Sequence, residues 1–199
     1  MKKTPLPALM VLLAAGLALP SCSTNQQGDD ANPVFVTCDF SGFTEPGNYN
    51  VNATIPLLYS MTLRNRPKAT SPATTQFLDV QTDSYTIVWT RIDGGKTASR
   101  SETFGGIGIV PFNGSLVANT IPVMSLSNLA ASPLDRLFPF NGGIDPETGK
   151  TEIRQTATIT WYGHMMNGSA IVSVPATFDM IFLYVPTTGR IVARPVSRG

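Results

Sequence analysis

From residue 34 onward, apolar residues alternate with polar residues over short stretches that are separated by turn residues. The alternation is clearest over 152–162, where the apolar positions are Ile153, Ala157, Ile159 and Trp161. No stretch keeps a 3.6-residue apolar period for three turns, so a helix is predicted only within 125–137, where Pro133 limits it to about two turns. The pattern predicts an all-β fold, an antiparallel β-sandwich with at most one or two short helices.

Further strands are predicted from the same alternation or from a high content of β-branched and aromatic residues, at 49–55, 57–63, 84–92, 97–104, 109–112 and 116–123. The turn Asp93-Gly94-Gly95 is predicted to lead from 84–92 into 97–104, because these residues accept positive φ. After 152–162, a turn over 163–168 leads into strands at 170–174 and 177–185, with Pro175 at an edge or bulge. The strand at 57–63 is predicted to end at 64–67 and to be followed by a Pro/Ser/Thr loop through 75, and a long polar loop is predicted at 141–150.

The last of these hairpins carries a resemblance to a known architecture. Thr158-Ile159-Thr160-Trp161-Tyr162-Gly163, followed by Asn167-Gly168, resembles the terminal hairpin of immunoglobulin-like sandwiches in bacterial surface proteins. The resemblance implies an immunoglobulin-like sandwich. The chain lacks the Cys-Trp-Cys framework of antibody domains, so the label describes architecture and carries no function.

The first residues have the pattern of an export signal. Lys2 and Lys3 precede a nearly uninterrupted apolar run over 6–19, as in the positive and apolar regions of a signal peptide. A membrane-spanning helix needs about 20 residues, so this run is predicted to be cleaved and not to remain as a permanent anchor.

The apolar run ends in Leu19-Pro20-Ser21-Cys22, which resembles the lipobox of bacterial lipoproteins, although Pro20 departs from the usual residue at the second position. The resemblance implies that 1–21 is removed and that Cys22 carries acyl chains on its sulfur and amine. Several chains would hold the protein stably on a bilayer. The alternative is an ordinary secretory signal with a coincidental cysteine, but no small-x-small cleavage site ends the run.

The residues that follow Cys22 suggest a destination and a tether. By resemblance to enteric lipoproteins, in which aspartate after the cysteine retains the protein in the inner membrane, Ser23 implies the outer membrane, with the domain facing the periplasm or the cell surface. Residues 22–33 hold no apolar side chain larger than alanine apart from Cys22 and Pro33, which predicts a flexible tether. A single β-sandwich domain is then expected over 34–199.

Charge and cysteine content limit the classes of molecule that the protein is expected to bind and the ways its cysteines can pair. Residues 1–21 contain two of the 14 Lys and Arg residues, so 12 basic residues remain against 13 acidic ones. A chain so close to neutral is not expected to have a basic surface that binds nucleic acid. Contact with a membrane is expected to depend on the lipid at Cys22. Cys38 is then expected to be a buried thiol or, as an alternative, an intermolecular one, and if Cys22 is not acylated the two cysteines could pair.

The residues that could carry chemistry are few, and no cofactor is expected. His164 is the only histidine and falls in a predicted turn, and no Gly-x-Ser-x-Gly motif occurs. The loop 145–152 contains three carboxylates that could bind Ca²⁺, on Asp145, Glu147 and Glu152, but an ordinary solvated turn is the favoured interpretation. Strand aromatics that could stack on sugar rings, if they are not in the core, are Trp89, Trp161 and Tyr162.

These observations lead to two hypotheses of function. The first is a non-enzymatic, membrane-anchored envelope lipoprotein that binds or scaffolds another envelope protein, a class that includes subunits of secretion or electron-transfer machinery. The alternative is a carbohydrate-binding or glycan-active sandwich domain. Direct haem chemistry is not expected, because no Cys-x-x-Cys-His motif occurs.

Overall fold

The computed structural model describes residues 32–40, 46–54, 56–68 and 76–186. The predicted signal peptide, Cys22 and most of the predicted tether lie outside these residues, as do 69–75 and 187–199. Within the described part of the chain there are ten strands: β1 (Val34–Phe40), β2 (Gly47–Asn50), β3 (Leu57–Pro67), β4 (Val80–Arg91), β5 (Glu102–Gly105), β6 (Ile109–Val110), β7 (Ser115–Met124), β8 (Glu152–Met165), β9 (Ala170–Val172) and β10 (Ala176–Leu183).

The strands form two sheets. The smaller sheet has the order β1-β3-β7, and the larger has the order β2-β10-β8-β4-β5, with β6 also paired to β4 and β9 to β8. All pairs are antiparallel except β2 with β10, which is parallel. The predicted all-β antiparallel sandwich is therefore confirmed, with one parallel pair that the alternation pattern could not reveal.

The strand order is that of an immunoglobulin-like sandwich. Such domains place strands A, B and E in one sheet and C, F and G in the other. With β1, β3 and β7 as A, B and E, and β4, β8 and β10 as C, F and G, both sheets follow this order. Trp89 is buried on β4, the position of strand C, where immunoglobulin domains place a buried tryptophan.

The core lies between the sheets and is built from alternate residues of each long strand. Along β8 the buried residues are Ile153, Gln155, Ala157, Ile159, Trp161 and Met165. The ring of Phe178 on β10 lies 4.9 Å from that of Phe40 on β1 and 5.1 Å from that of Tyr59 on β3. Each fully buried large apolar side chain contributes about 1.5–3 kcal/mol, so these contacts between sheets hold the two layers together.

The helical content is small, in agreement with the prediction for 125–137. The α-helix α1 (Leu126–Leu129) begins where the Ser125 hydroxyl accepts a hydrogen bond from the Asn128 N–H. Pro133 follows shortly after, and the chain continues in 3₁₀ turns at Leu134–Leu137 and Pro139–Asn141. Helix therefore occurs where it was expected but is interrupted.

Two predicted strands are shorter in the structure than the sequence suggested. In both, backbone N–H groups donate to side chains or to a turn carbonyl and not to a neighbouring strand. The strand predicted at 49–55 ends at Asn50, whose side-chain oxygen accepts from the Asn52 N–H and whose carbonyl accepts from the Ala53 N–H. The return strand predicted at 97–104 begins only at Glu102. Its first residues instead donate backbone N–H groups to the side chains of Glu147, Gln155 and Asn128.

Two other strands are longer than predicted because their partners extend them. The strand predicted at 57–63 continues to Pro67 because β1 pairs with it as far as Val34. The turn predicted at 163–168 is shorter, since 163–165 continue β8 by pairing with 80–82 of β4. His164 therefore lies in a strand opposite Gln81, and the turn occupies 166–168.

Candidate functional site

The outer face of the larger sheet is made of uncharged side chains in its central rows. Across the sheet, Thr103 lies opposite Thr86, which lies opposite Thr160. In the next row Val88 lies opposite Thr158, which lies opposite Thr177. We call this surface the threonine face and define it by Thr86, Val88, Thr90, Thr103, Thr156, Thr158, Thr160, Tyr162, Val172 and Thr177.

Titratable side chains occur at the margins of the threonine face. At one end Asp179 accepts a hydrogen bond from the Thr156 hydroxyl, and Arg154 lies two residues before Thr156 on β8. At the other end His164 Nδ1 lies 3.0 Å from Asp83 Oδ2, with both side chains about half exposed. The face thus has an uncharged centre and a polar border, which is the arrangement found in protein interfaces.

The three aromatic residues considered for sugar stacking separate into two environments. Trp89 and Trp161 are 3% and 2% exposed and belong to the core. The Trp89 ring lies 5.5 Å from that of Phe182, and the Trp161 ring lies 4.3 Å from that of Tyr85. Tyr162 is 41% exposed on the threonine face, so it is the member of this set that can touch a ligand at the surface.

A second group of polar residues forms at the end of the sandwich where β4 leads into its turn. Arg91 donates from Nε to Asp93 and from Nη2 to Asp145, each at 2.7 Å, and the three side chains are 2%, 0% and 0% exposed. Arg136 donates to Asp145 at 3.2 Å and to Glu147 at 2.8 Å. We call these five residues the ionic cluster; it ties the 93–97 turn to the 134–150 segment.

The ionic cluster keeps its carboxyl groups ionised. Burial alone would raise the pKa of Asp145, but hydrogen bonds from Arg91, Thr148 and Arg136 outweigh burial, so this pKa is lowered. The pKa of Asp93 is lowered for the same reason, against burial, by Arg91 and by backbone N–H donors. Hydrogen bonds from Arg136 and Thr97 lower the pKa of Glu147 far below its usual range.

The candidate calcium ligands are placed in two different ion-pair groups. Asp145 and Glu147 meet at Arg136 in the ionic cluster, whereas Glu152 pairs with Arg154 at 2.7 Å. Their oxygens therefore face guanidinium groups. Among the described residues, no three His, Cys, Asp or Glu side chains are grouped closely enough to hold a metal ion.

Cys38 is a free, buried thiol, as expected for a cysteine that behaves as a small apolar residue. Its sulfur lies 3.7 Å from that of Met61. Burial is the main reason that its pKa is raised to about 12, so the reactive thiolate is suppressed. Its predicted alternative partner, Cys22, lies outside the described residues.

Sequence reasoning missed both the threonine face and the arginines of the ionic cluster. The threonine face does leave a pattern in the sequence, because Thr156, Thr158 and Thr160 occupy successive outward positions of one strand. The ionic cluster leaves no such pattern, since Arg91 and Asp145 are separated by 54 positions and no local motif links them.

No family model, curated protein or solved structure matches this chain. In the part of the chain that the structure describes, no helix combines the length and apolar character needed to cross a bilayer.

Proposed function

We propose that this protein is a non-enzymatic module of the cell envelope that binds another protein through the threonine face. The uncharged centre of that face is the observation that carries the proposal. Solvated protein surfaces commonly hold about 25–35% charged residues, whereas interface centres are depleted in charge and enriched in tyrosine. Two adjacent rows of the face contain only threonine and valine, and Tyr162 and Val172 lie opposite each other beside them.

The chemistry of these side chains favours association. Burying an uncharged hydroxyl and methyl surface avoids the large cost of dehydrating ions, which is several kcal/mol per ion. Threonine and valine are stiff at χ1, so they lose little conformational freedom when a partner covers them. The border residues Asp83, His164, Arg154 and Asp179 remain available for hydrogen bonds at a solvated rim.

The proposal keeps the lipid anchor suggested by the sequence. Cys22 would carry acyl chains and hold the protein on the outer membrane, and residues 23–31 would connect it to the domain. The sandwich then presents the threonine face to a neighbour held in the same envelope. Confinement near a membrane raises the effective concentration of such a neighbour, so the interface can be modest in area.

The test is a comparison of two lysine substitutions on outward strand positions. Thr158→Lys places a charge in the centre of the threonine face, and Thr62→Lys places one on the outer face of the smaller sheet. Tagged protein is crosslinked, purified from detergent-solubilised membranes and read by mass spectrometry, including its N-terminal peptide. We expect an acylated Cys22 and a stoichiometric partner that Thr62→Lys retains and Thr158→Lys loses. Equal capture by both variants, or an unmodified N-terminus, would contradict the proposal.

One observation favours the carbohydrate-binding alternative, namely the exposed ring of Tyr162 among threonine hydroxyls. Aromatic rings stack on sugars while hydroxyl groups bind the sugar oxygens. Glycan-array binding that Tyr162→Ala removes would support this alternative against the protein-binding proposal. The control is Phe140→Ala, which removes an aromatic ring that is 82% exposed outside the threonine face.

A further inference from the structure

A polar cleft of about 160 Å³ lies between β3 and the turn that leads into β7. Arg64, Asn65 and Arg66 of β3 form one wall, and residues 113–115 form the other. The two walls are joined, because the Asn65 N–H donates to the Gly114 carbonyl at 3.1 Å and Arg64 lies opposite Ser115 in the sheet. The cleft is therefore part of the sheet framework and is set by strand pairing.

The charges at this cleft favour a monovalent anion. Arg64 donates to Asp39 at 2.8 Å, and both side chains are about half exposed. Arg66, which is exposed, forms no ion pair with any described residue. Two guanidinium groups and one carboxylate leave one unbalanced positive charge beside the hydroxyl of Ser115 and the amide of Asn113.

The cleft lies at the end of the domain where the chain enters from the proposed anchor. The Lys68 N–H donates to the Pro33 carbonyl at 2.8 Å, and Phe35 lies opposite Arg66. Cys22 precedes Asn32 by ten positions, and ten residues span at most about 35 Å. An acyl chain on Cys22 would therefore allow Arg66 to reach lipid headgroups.

We propose that this cleft binds a phosphodiester group, supplied by the headgroup of an anionic membrane lipid. A phosphodiester carries one negative charge, which matches the unbalanced charge of the cleft, and arginine offers the paired donors that phosphate oxygens accept. Ser115 and Asn113 add neutral donors. The assignment to a lipid rests on the proposed anchoring at Cys22, whereas the recognition of a phosphodiester rests on the cleft itself.

The test uses the full chain in a nonionic detergent, with glycerophosphoglycerol as a soluble phosphodiester headgroup. Binding is followed by NMR at the Gly114 and Ser115 amides and compared with inorganic phosphate and acetate. We expect saturable shifts with glycerophosphoglycerol, weakened at least tenfold by Arg66→Gln and unchanged by Arg100→Gln. Arg100 is an exposed arginine outside the cleft, so it is a matched control for lost charge. Tighter binding of phosphate or acetate, or the absence of saturable shifts, would overturn the proposal.

The proposed lipid anchor and the proposed phosphodiester site can be contradicted by separate measurements. Mass spectrometry of the N-terminal peptide tests acylation of Cys22 without reference to the cleft. An acylated Cys22 with no glycerophosphoglycerol binding would contradict the cleft assignment alone. An unmodified Cys22 would contradict the lipid as the source of the ligand, whatever the cleft binds.

Discussion

At the scale of single residues, Asp145 connects two arginines that come from distant parts of the chain. Its side chain is fully buried and accepts from Arg91 and Arg136. Breaking a buried ion pair costs about 3–5 kcal/mol. The cost here should lie at the lower end of that range, because Arg91 keeps Asp93 as a partner and Arg136 keeps Glu147. We expect Asp145→Asn to lower the free energy of unfolding by about 3 kcal/mol in urea titrations at pH 7. Glu152→Gln, which breaks an exposed pair, should cost less than about 1 kcal/mol.

The same carboxylate links stability to pH. The pKa values of Asp93, Asp145 and Glu147 are lower in the folded protein than their ordinary values of 3.8 and 4.5. The unfolded state therefore binds more protons in acid, so stability is complete above these ordinary values and is lost as the pH falls below them. Urea titrations from pH 7 to pH 3 should show a shallower decline for Asp145→Asn than for the wild type. Parallel profiles would show that Asp145 is not a source of this pH dependence.

At the scale of elements, the sequence predicted strands best where alternation is strict and a partner strand covers the whole length. The 152–162 pattern corresponds to β8, whose buried and outward positions alternate as expected. Prediction failed for 97–101, where the side chains of Glu147 and Gln155 accept the backbone hydrogen bonds in place of a neighbouring strand. Such bonds join residues that are 50 and 56 positions apart, so no local pattern reveals them. For the same reason, the partners of Asp145 could not be inferred from its loop.

The bulge that β4 makes against β8, between Thr82 and Ser84, brings the β4 backbone close to Gly106, the residue after β5. The Gly106 N–H donates to the Asp83 carbonyl at 2.7 Å, and a Cβ on Gly106 would overlap the Thr82 carbonyl. We expect Gly106→Ala to destabilise the fold by about 1–3 kcal/mol, since overpacking against backbone forces the strands to shift. Gly105→Ala meets open space and should change the midpoint of thermal unfolding little. Equal midpoints for the two variants would contradict the close approach.

At the scale of the whole molecule, the two sheets are joined by aromatic rings from both layers. Phe178 contacts Phe40 and Tyr59 of the smaller sheet and Trp89 of the larger one. Phe178→Ala is expected to cost about 3–5 kcal/mol in denaturant unfolding, because it leaves a cavity at this junction. Phe140→Ala, at a ring that is 82% exposed, should change stability by about 0.5 kcal/mol or less. A small effect of Phe178→Ala would mean that the layers are held elsewhere.

The parallel pairing of β2 with β10 determines when the domain can be completed. Asn50, at the end of β2, exchanges hydrogen bonds with the backbone of Val185, 135 positions later in the chain. Contacts between residues so far apart in the chain form slowly, because a long loop must first be closed. At synthesis rates of about 5–20 residues per second, β2 waits on the order of ten seconds for its partner to leave the ribosome. A nascent chain thus remains open along that edge until β10 is made, and under the export proposed above this delay would favour translocation before the domain closes.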